Sequence, residues 1–287
     1  MQKLTSIVAV LDQSATAGRV LQKAVDISRQ FDARLELLAI EPLLAGRIVP
    51  QCAALGYPDI TVHAASRLGR RLDAVVLEYV RDREPDLVIK ARAGGHPLRR
   101  CSMTPNDWHL SQDCPAPLML VGPRPWAHPA RLAAAVDVSD DATLGVARAV
   151  MQAAGFFTLG SRGFLDVLYV ESEQQDPTVR MERAVTLARL VREFHVGSER
   201  LRMFDGVPER RLPPLIAARQ YDVLLLGAVT HREGLFETLS PLTSKLVDAA
   251  TGDVVLMKPP APRLGAARAA HLTTRAEPSP APEAHPN

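Results

Sequence analysis

The sequence predicts an α/β protein made of two copies of one unit, each a parallel sheet covered by helices. Short β-branched runs alternate with segments whose apolar residues recur at helical spacing, the pattern of parallel strands joined by helical crossovers. The same order of segments returns from residue 131, and landmarks recur at one interval. Asp86 stands as far from Leu118 as Asp222 does from Val254, and under the same offset Pro105 falls on Pro241. Unrelated folds would not share that register, so internal self-similarity governs the fold.

In the first copy "LTSIVAVLDQS" is a β-branched run closed by a polar turn, a first strand, and "TAGRVLQKAVDISRQF" is the helix after it. "ARLELLAIEP" gives a second strand, "DITVHAAS" a third, "LGRRLDAVVLEYVRD" a helix, "PDLVIKA" a fourth strand and "PAPLMLVG" a fifth. The second copy repeats this with strand "RLAAAVDVSDD", helix "ATLGVARAVMQAAG", strand "FLDVLYVES", a helix near 178–194, "ERLRMFDG", helix "LPPLIAARQ", and strands "YDVLLLG" and "GDVVLMKPP". The link "GPRPWAHPAR" is short and Pro-rich, a stiff connector that should let the halves pack together. This places the domains at 1–123 and 130–259. Residues 260–287, ending "EPSPAPEAHPN", are expected to form a disordered Pro/Ala-rich tail, because they cannot bury enough apolar surface to offset ordering.

Composition agrees with two globular units. The 287 residues suit two domains of about 130 each, and 47% hydrophobic, 23% charged and 5% aromatic content excludes collagen-like and wholly disordered chains. With 34 basic and 32 acidic residues the formal charge is +2, so nucleic acid is not an expected partner. No uninterrupted apolar run approaches the roughly 18 residues of a bilayer span, and "MQKLTSIVAVLDQS" reaches an Asp too early for a signal peptide. A cytoplasmic protein without a membrane partner is therefore expected. Cys52, Cys101 and Cys114 form no CxxC pair and read as reduced thiols, with no disulfide framework or zinc site.

The candidate site residues stand where strands end. In parallel α/β sheets ligands bind outside the carboxyl ends of the strands, and Asp12 and Asp137 both end the first strand of their copy. Each is either an acceptor for a ligand hydroxyl or base edge, or a cap for the next helix. In "GAVTHREGLFETLSPLTSKLVDAA" Gly227 and Gly234 precede a helix, a weak version of a phosphate-binding loop that lone turn glycines imitate. "KARAGGHPLRR" gathers Lys90, Arg92, Arg99 and Arg100 beside two glycines; it would attract an anion, or is a solvated loop.

The stretch "MTPNDWHLSQDCPAP" packs Trp108, His109, Asp107, Asp113 and Cys114 together. Thr104 before Pro105 reads as an N-cap followed by a proline suited to a first helical turn, with Asp107 placed favourably for the helix dipole. Trp108 can cover the sheet or the other half. His109 lacks the i, i+4 partner of a helical metal site, and Cys114 has no activating basic neighbour. The segment is a capped helix start with no catalytic residue.

Over residues 3–259 the chain resembles the tandem branch of the universal stress protein family. The carrying residues are "VAVLDQS" and "AAVDVSD", "DLVIKARAGG", "TPNDWHLSQDCPAPLMLV" and "YDVLLLGAVTHREGLFETLSPLTSKLVD". The resemblance implies two adenine-nucleotide-hydrolase-like (Rossmann-like) domains. Each would be a five-stranded parallel sheet of order 3-2-1-4-5 with helices on both faces, the last strands meeting near the interface so that the halves pair intramolecularly. Nucleotide-binding relatives hold phosphates on a glycine-rich loop, whose positions fall here on Gly227, Thr230, Ser240 and Pro241, and in the first copy on Ala91, Gly94, Thr104 and Pro105. One glycine survives in each, and proline offers no N–H where a donor is needed.

The expected function is that of a non-enzymatic universal stress protein in the cytoplasmic stress response, with no cofactor. One alternative is an ATP- or AMP-binding member with slow ATPase activity, using Asp137, Val170, Gly227 and the Thr230–Ser240 loop. Another is a small-molecule carrier using the interstrand crevice. Whether whole chains also form homodimers stays open.

Overall fold

The first half opens with β1 (Ser6–Leu11), whose burial on both faces follows from its unbroken apolar run: Ile7, Ala9 and Leu11 enter one core and Val8 and Val10 the other. There follow α1 (Ala17–Phe31), β2 (Arg34–Ile40), α2 (Pro42–Ala54), β3 (Thr61–Ala65), α3 (Leu72–Arg83), β4 (Leu87–Ala91), α4 (Pro105–Asp113) and β5 (Leu118–Val121). The second half contains β6 (Arg131–Ala135), α5 (Asp141–Ser161), β7 (Phe164–Glu171), α6 (Pro177–Glu193), β8 (Leu201–Asp205), α7 (Pro208–Arg219) and β9 (Val223–Gly227). It closes with a hairpin of β10 (Thr230–Glu233) and β11 (Phe236–Leu239), then α8 (Pro241–Ala249) and β12 (Asp253–Met257).

The computed structural model describes residues 4–258 apart from 14–15, 55, 57–59, 67–68, 93–102, 173–174, 229 and 234–235, with backbone alone at 42–43, 230–233 and 236–239. The expected tail at 260–287, Arg99, Arg100, Cys101 and Gly234 lie outside the described residues.

Ten strands form one sheet in the order β3-β2-β1-β4-β5-β12-β9-β6-β7-β8. Counted within its own half, each set of five reads 3-2-1-4-5. Pairing is parallel throughout except at the joint, where β5 and β12 run antiparallel with Met119 opposite Val255. The two expected sheets are therefore continuous, and the pairing of the last strands leaves no free edge there. Helices α1, α2, α5 and α6 contribute to the core on one face, and α3, α4, α7 and α8 to the core on the other.

The duplication reaches individual hydrogen bonds. Asp86, just before β4, accepts from Thr5 N, Thr5 Oγ1, Ser6 N and Ser6 Oγ at 2.6–3.2 Å, tying β4 to the start of β1. Asp222 does the same service before β9, accepting from Arg131 N at 2.8 Å. Burial pushes the Asp86 carboxyl up, but the bonds from Thr5 and Ser6 outweigh it and hold it below the usual carboxylate range. A depressed acid contributes stability that is complete above its unfolded pKa and is lost as pH falls through the folded value. Asp86→Asn is thus expected to flatten the acid limb of stability against pH, measured by urea melts between about pH 7 and about pH 3.

Two elements escape the sequence pattern. Helix α2, "PLLAGRIVPQCAA", carries Gly46 and an interior Pro50, residues that argue for a loop, and buries Ile48 and Cys52 all the same. The β10–β11 hairpin occupies what reads as a glycine loop, and β11 contacts α4 of the other half. Helix α5 is, by length and composition, long and apolar enough to cross a membrane, which no uninterrupted run suggested. It lays Val146, Val150, Met151, Ala154 and Phe157 into the core instead.

Candidate functional site

At the carboxyl ends of the second-half strands lies a cavity of about 470 Å³, with Asp137, Val170, Gly227 and Ser240 in its wall. Four of the eight candidate residues thus come together. Thr230 starts the hairpin beside it, with its backbone paired to Leu239.

The polar groups of this crevice are already engaged within the chain. Ser240 is the N-cap of α8 and its Oγ accepts from Leu242 N at 3.3 Å, while Pro241 occupies the first turn. Thr243 Oγ1 donates to Gly227 O at 3.3 Å. Asp137 Oδ1 accepts from Ser139 N at 2.9 Å, so it shapes the turn before α5; the cap of that helix is Asp140, in a reciprocal capping box with Thr143. The capping alternative for Asp137 and Asp12 is therefore corrected, since α1 begins after Thr16 without a side-chain cap.

Electrostatics in the crevice oppose an anion. Asp137, Asp140, Glu171 and Glu209 line it, with Arg183 as the cation among the described lining residues. Arg183 Nη1 donates to Glu171 Oε1 at 2.9 Å, and Tyr169 OH donates to Glu171 Oε2 at 2.7 Å. Burial and then Glu171 push the Tyr169 phenol up, so it stays protonated as a donor. Glu171 ends β7 as Asp137 ends the region of β6; its position at a strand terminus was the available signal for a crevice acid, and sequence reasoning passed over it.

The matching place in the first half is filled. Lys90, at the end of β4, is 2% exposed, and Asp107, in the first turn of α4, is 0% exposed. Lys90 Nζ donates to Asp107 Oδ1 and to Ala91 O, both at 2.9 Å, and lies 3.9 Å from Asp12 Oδ2. Thr104 is the N-cap of α4 and Asp107 stands in its first turn, as the segment "MTPNDWHLSQD" suggested, and the two also close a capping box. Lys90 is thus a buried partner of Asp107, a correction of the expectation that it faces an incoming anion at the rim. The reason is tertiary: α4 brings a carboxylate over the strand end.

Arg92 is corrected in the same way. It is buried, and its Nη1 donates to Val247 O of α8 at 3.1 Å, crossing from one half to the other. Trp108 is half-buried against the core beneath α4, and His109 stays partly exposed. Burial pushes the Cys114 thiol up, away from a reactive thiolate. Among the described residues no three His, Cys, Asp or Glu side chains converge as a metal centre would require.

No family model matches the chain. It is 24% identical over 188 residues to the Universal stress protein E homolog of Haemophilus influenzae, covering 59% of this chain and 60% of that protein. It is 22% identical over 209 residues to Universal stress protein E of Escherichia coli K12, covering 66% of each. The matched region therefore spans about two thirds or less of those relatives. Among solved structures, PA1789 of Pseudomonas aeruginosa PAO1, described as functionally unknown, superposes with a TM-score of 0.77 at 20% identity over 95% of this chain and 98% of its own. A universal stress protein from Archaeoglobus fulgidus gives a TM-score of 0.63 at 12% identity over 88% and 96%. With its repeated halves and shared fold, the chain is similar in sequence to universal stress proteins E and in structure to universal stress proteins.

Proposed function

We propose that this is a non-enzymatic binding or regulatory protein of the cytoplasmic stress response, in which neither half holds a triphosphate. The observation that carries the reading is the second-half crevice, where the helix that would present amides to phosphate starts at Pro241 and is capped by Ser240. Its wall carries Asp137, Asp140, Glu171 and Glu209 against Arg183. Polyphosphate would meet carboxylates in place of N–H donors, a repulsion that low local dielectric strengthens. The first-half counterpart is closed by Lys90 and Asp107. No pair here supplies a general base beside a nucleophile, since the crevice acids already accept hydrogen bonds from Ser139, Tyr169 and Arg183.

Titration of the purified chain with ATP and with AMP tests this. No saturation is expected below about 1 mM, an affinity weaker than about −4 kcal/mol. Micromolar binding of either nucleotide would overturn the reading in favour of an ATP- or AMP-binding protein.

One observation favours a second reading, carriage of a small apolar molecule. A cavity of about 640 Å³ lies between the end of α1, α5 and the joint strands, with Phe31, Phe156, Phe157 and Met257 in its wall. It lies at the joint, away from the strand-end crevice expected to serve a carrier. Phe157 meets the Trp126 indole edge-on at 6.2 Å and Phe31 at 6.4 Å, so the connector supplies one aromatic plug to this layer. A planar apolar ligand would supply the other. Native mass spectrometry of freshly isolated protein reads this out as an added mass.

A further inference from the structure

At the amino ends of the second-half strands, the end of the sheet opposite the acidic crevice, four arginines converge. Arg131 opens β6, Arg200 and Arg202 flank the start of β8, and Arg219 ends α7, and together they line a cavity of about 400 Å³. Its one lining carboxylate among the described residues is Asp166 of β7, buried beneath them. Asp166 lies 3.5 Å from Arg200, 3.7 Å from Arg219 and 4.0 Å from Arg202, and accepts from Tyr221 OH at 3.0 Å.

One carboxylate cannot neutralise four guanidinium groups. The Arg200, Arg202 and Arg219 side chains are 36%, 39% and 35% exposed, so their unspent charge faces a space that solvent reaches. Arg202 Nε is nonetheless buried without a hydrogen-bond acceptor. Two of the planes are fixed by stacking, with Arg200 over the Phe164 ring at 4.8 Å and Arg131 over Tyr221 at 5.8 Å. Guanidinium groups held this way are preorganised to receive phosphate oxygens through paired N–H donors.

The first half supplies an internal control. In the same register, with Leu38 opposite His63 as Leu168 is opposite Arg202, Glu36 takes the place of Asp166. Glu36 accepts from Tyr79 OH at 2.8 Å and faces Arg34 at 3.3 Å, His63 at 3.7 Å and Arg83 at 3.9 Å. There a longer acid reaches into a smaller set of cations. In the second half the acid is one methylene shorter and arginine stands where the first half has histidine.

We infer that the Arg131–Arg200–Arg202–Arg219 cavity binds a compact polyanion that carries phosphate groups. The volume admits one or two phosphate groups but leaves little for more, at the lower end of small-ligand sites.

Calorimetry with inorganic pyrophosphate at low salt is expected to show saturable 1:1 binding. R200Q/R202Q should weaken it at least about tenfold, and added salt should weaken it further. D166N, which removes the competing acid and leaves every arginine in place, should tighten it several-fold. If R200Q/R202Q does not fold by thermal melting, R131Q carries the same expectation, because Arg131 is exposed and makes no ion pair to Asp166 at these distances. Absence of saturable pyrophosphate binding, or binding indifferent to these arginines, overturns the assignment. Flotation with vesicles containing phosphatidic acid identifies the source. Arginine-dependent flotation shows a lipid-borne phosphate, and pyrophosphate binding without flotation shows a free one.

Discussion

Asp107→Thr is expected to cost about 3–5 kcal/mol of folding stability, the usual penalty for leaving one partner of a buried ion pair without the other. Asp107 is wholly buried, and with the carboxylate gone the Lys90 ammonium, equally buried, loses its 2.9 Å partner. The helix cap itself should survive, because Thr143 at the same position of α5 completes a capping box with a hydroxyl. The second half shows how the defect can be repaired. Leu226 pairs with Leu256 in β9 as Lys90 pairs with Leu120 in β4, and Thr243 follows at the position that Asp107 holds. Importing both, as K90L/D107T, should restore stability to within about 1–2 kcal/mol of the parent, since a well-packed apolar pair replaces a buried ionic one at little cost. Urea unfolding of the two single variants and the double variant measures the coupling. Additive losses would show that Lys90 and Asp107 are not stabilised by each other.

Why that pair was hidden in the sequence shows where sequence reading stops. The strands and the caps at Thr104 and Ser240 are local features: β-branched runs, then a hydroxyl one residue ahead of proline, and the structure has both. Lys90 follows three apolar residues at a strand end, which reads as a cation reaching solvent. Its partner stands 17 residues later on α4, across a loop whose path no local pattern gives. "DVSDDA" offers three acids for one cap, and only the backbone geometry selects Asp140. The arginines stand on three separate stretches of chain, at 131, at 200 and 202, and at 219; the strand order brings these to one end of the sheet. Asp137, by contrast, could be placed at the rim because it follows the first strand of its parallel sheet, and the family resemblance set Val170, Gly227 and Ser240 beside it.

Asp253→Ala should cost as much as Asp107→Thr and also change how the molecule unfolds. Asp253 begins β12 at the antiparallel joint, is wholly buried, and is held from three directions: Gly122 N at 2.8 Å, Trp126 Nε1 at 2.6 Å and Lys23 Nζ at 3.2 Å. These donors come from the end of β5, the connector and α1, so one carboxylate joins the second half to three parts of the chain before it. Burial raises the Asp253 carboxyl against the pull of Lys23, Gly122 and Trp126, and burial lowers Lys23 against the pull of Asp253. Desolvation therefore outweighs attraction on both partners, so the pair adds little net energy while fixing the register of the joint. Removing the acid leaves a mostly buried ammonium, an indole N–H and a backbone N–H without their acceptor, about 3–5 kcal/mol in all. The neighbouring Gly252 leaves the joint little room to shift, since a Cβ there would stand 2.4 Å from the carbonyl oxygens of Tyr221 and Asp222. With the joint weakened, only the two cores that run through both halves are left to couple them, so the urea transition should broaden relative to the parent and its m-value fall as the halves lose cooperativity. A D253A variant that melts earlier with an unchanged m-value would show that β5 and β12 hold the halves together without this carboxylate.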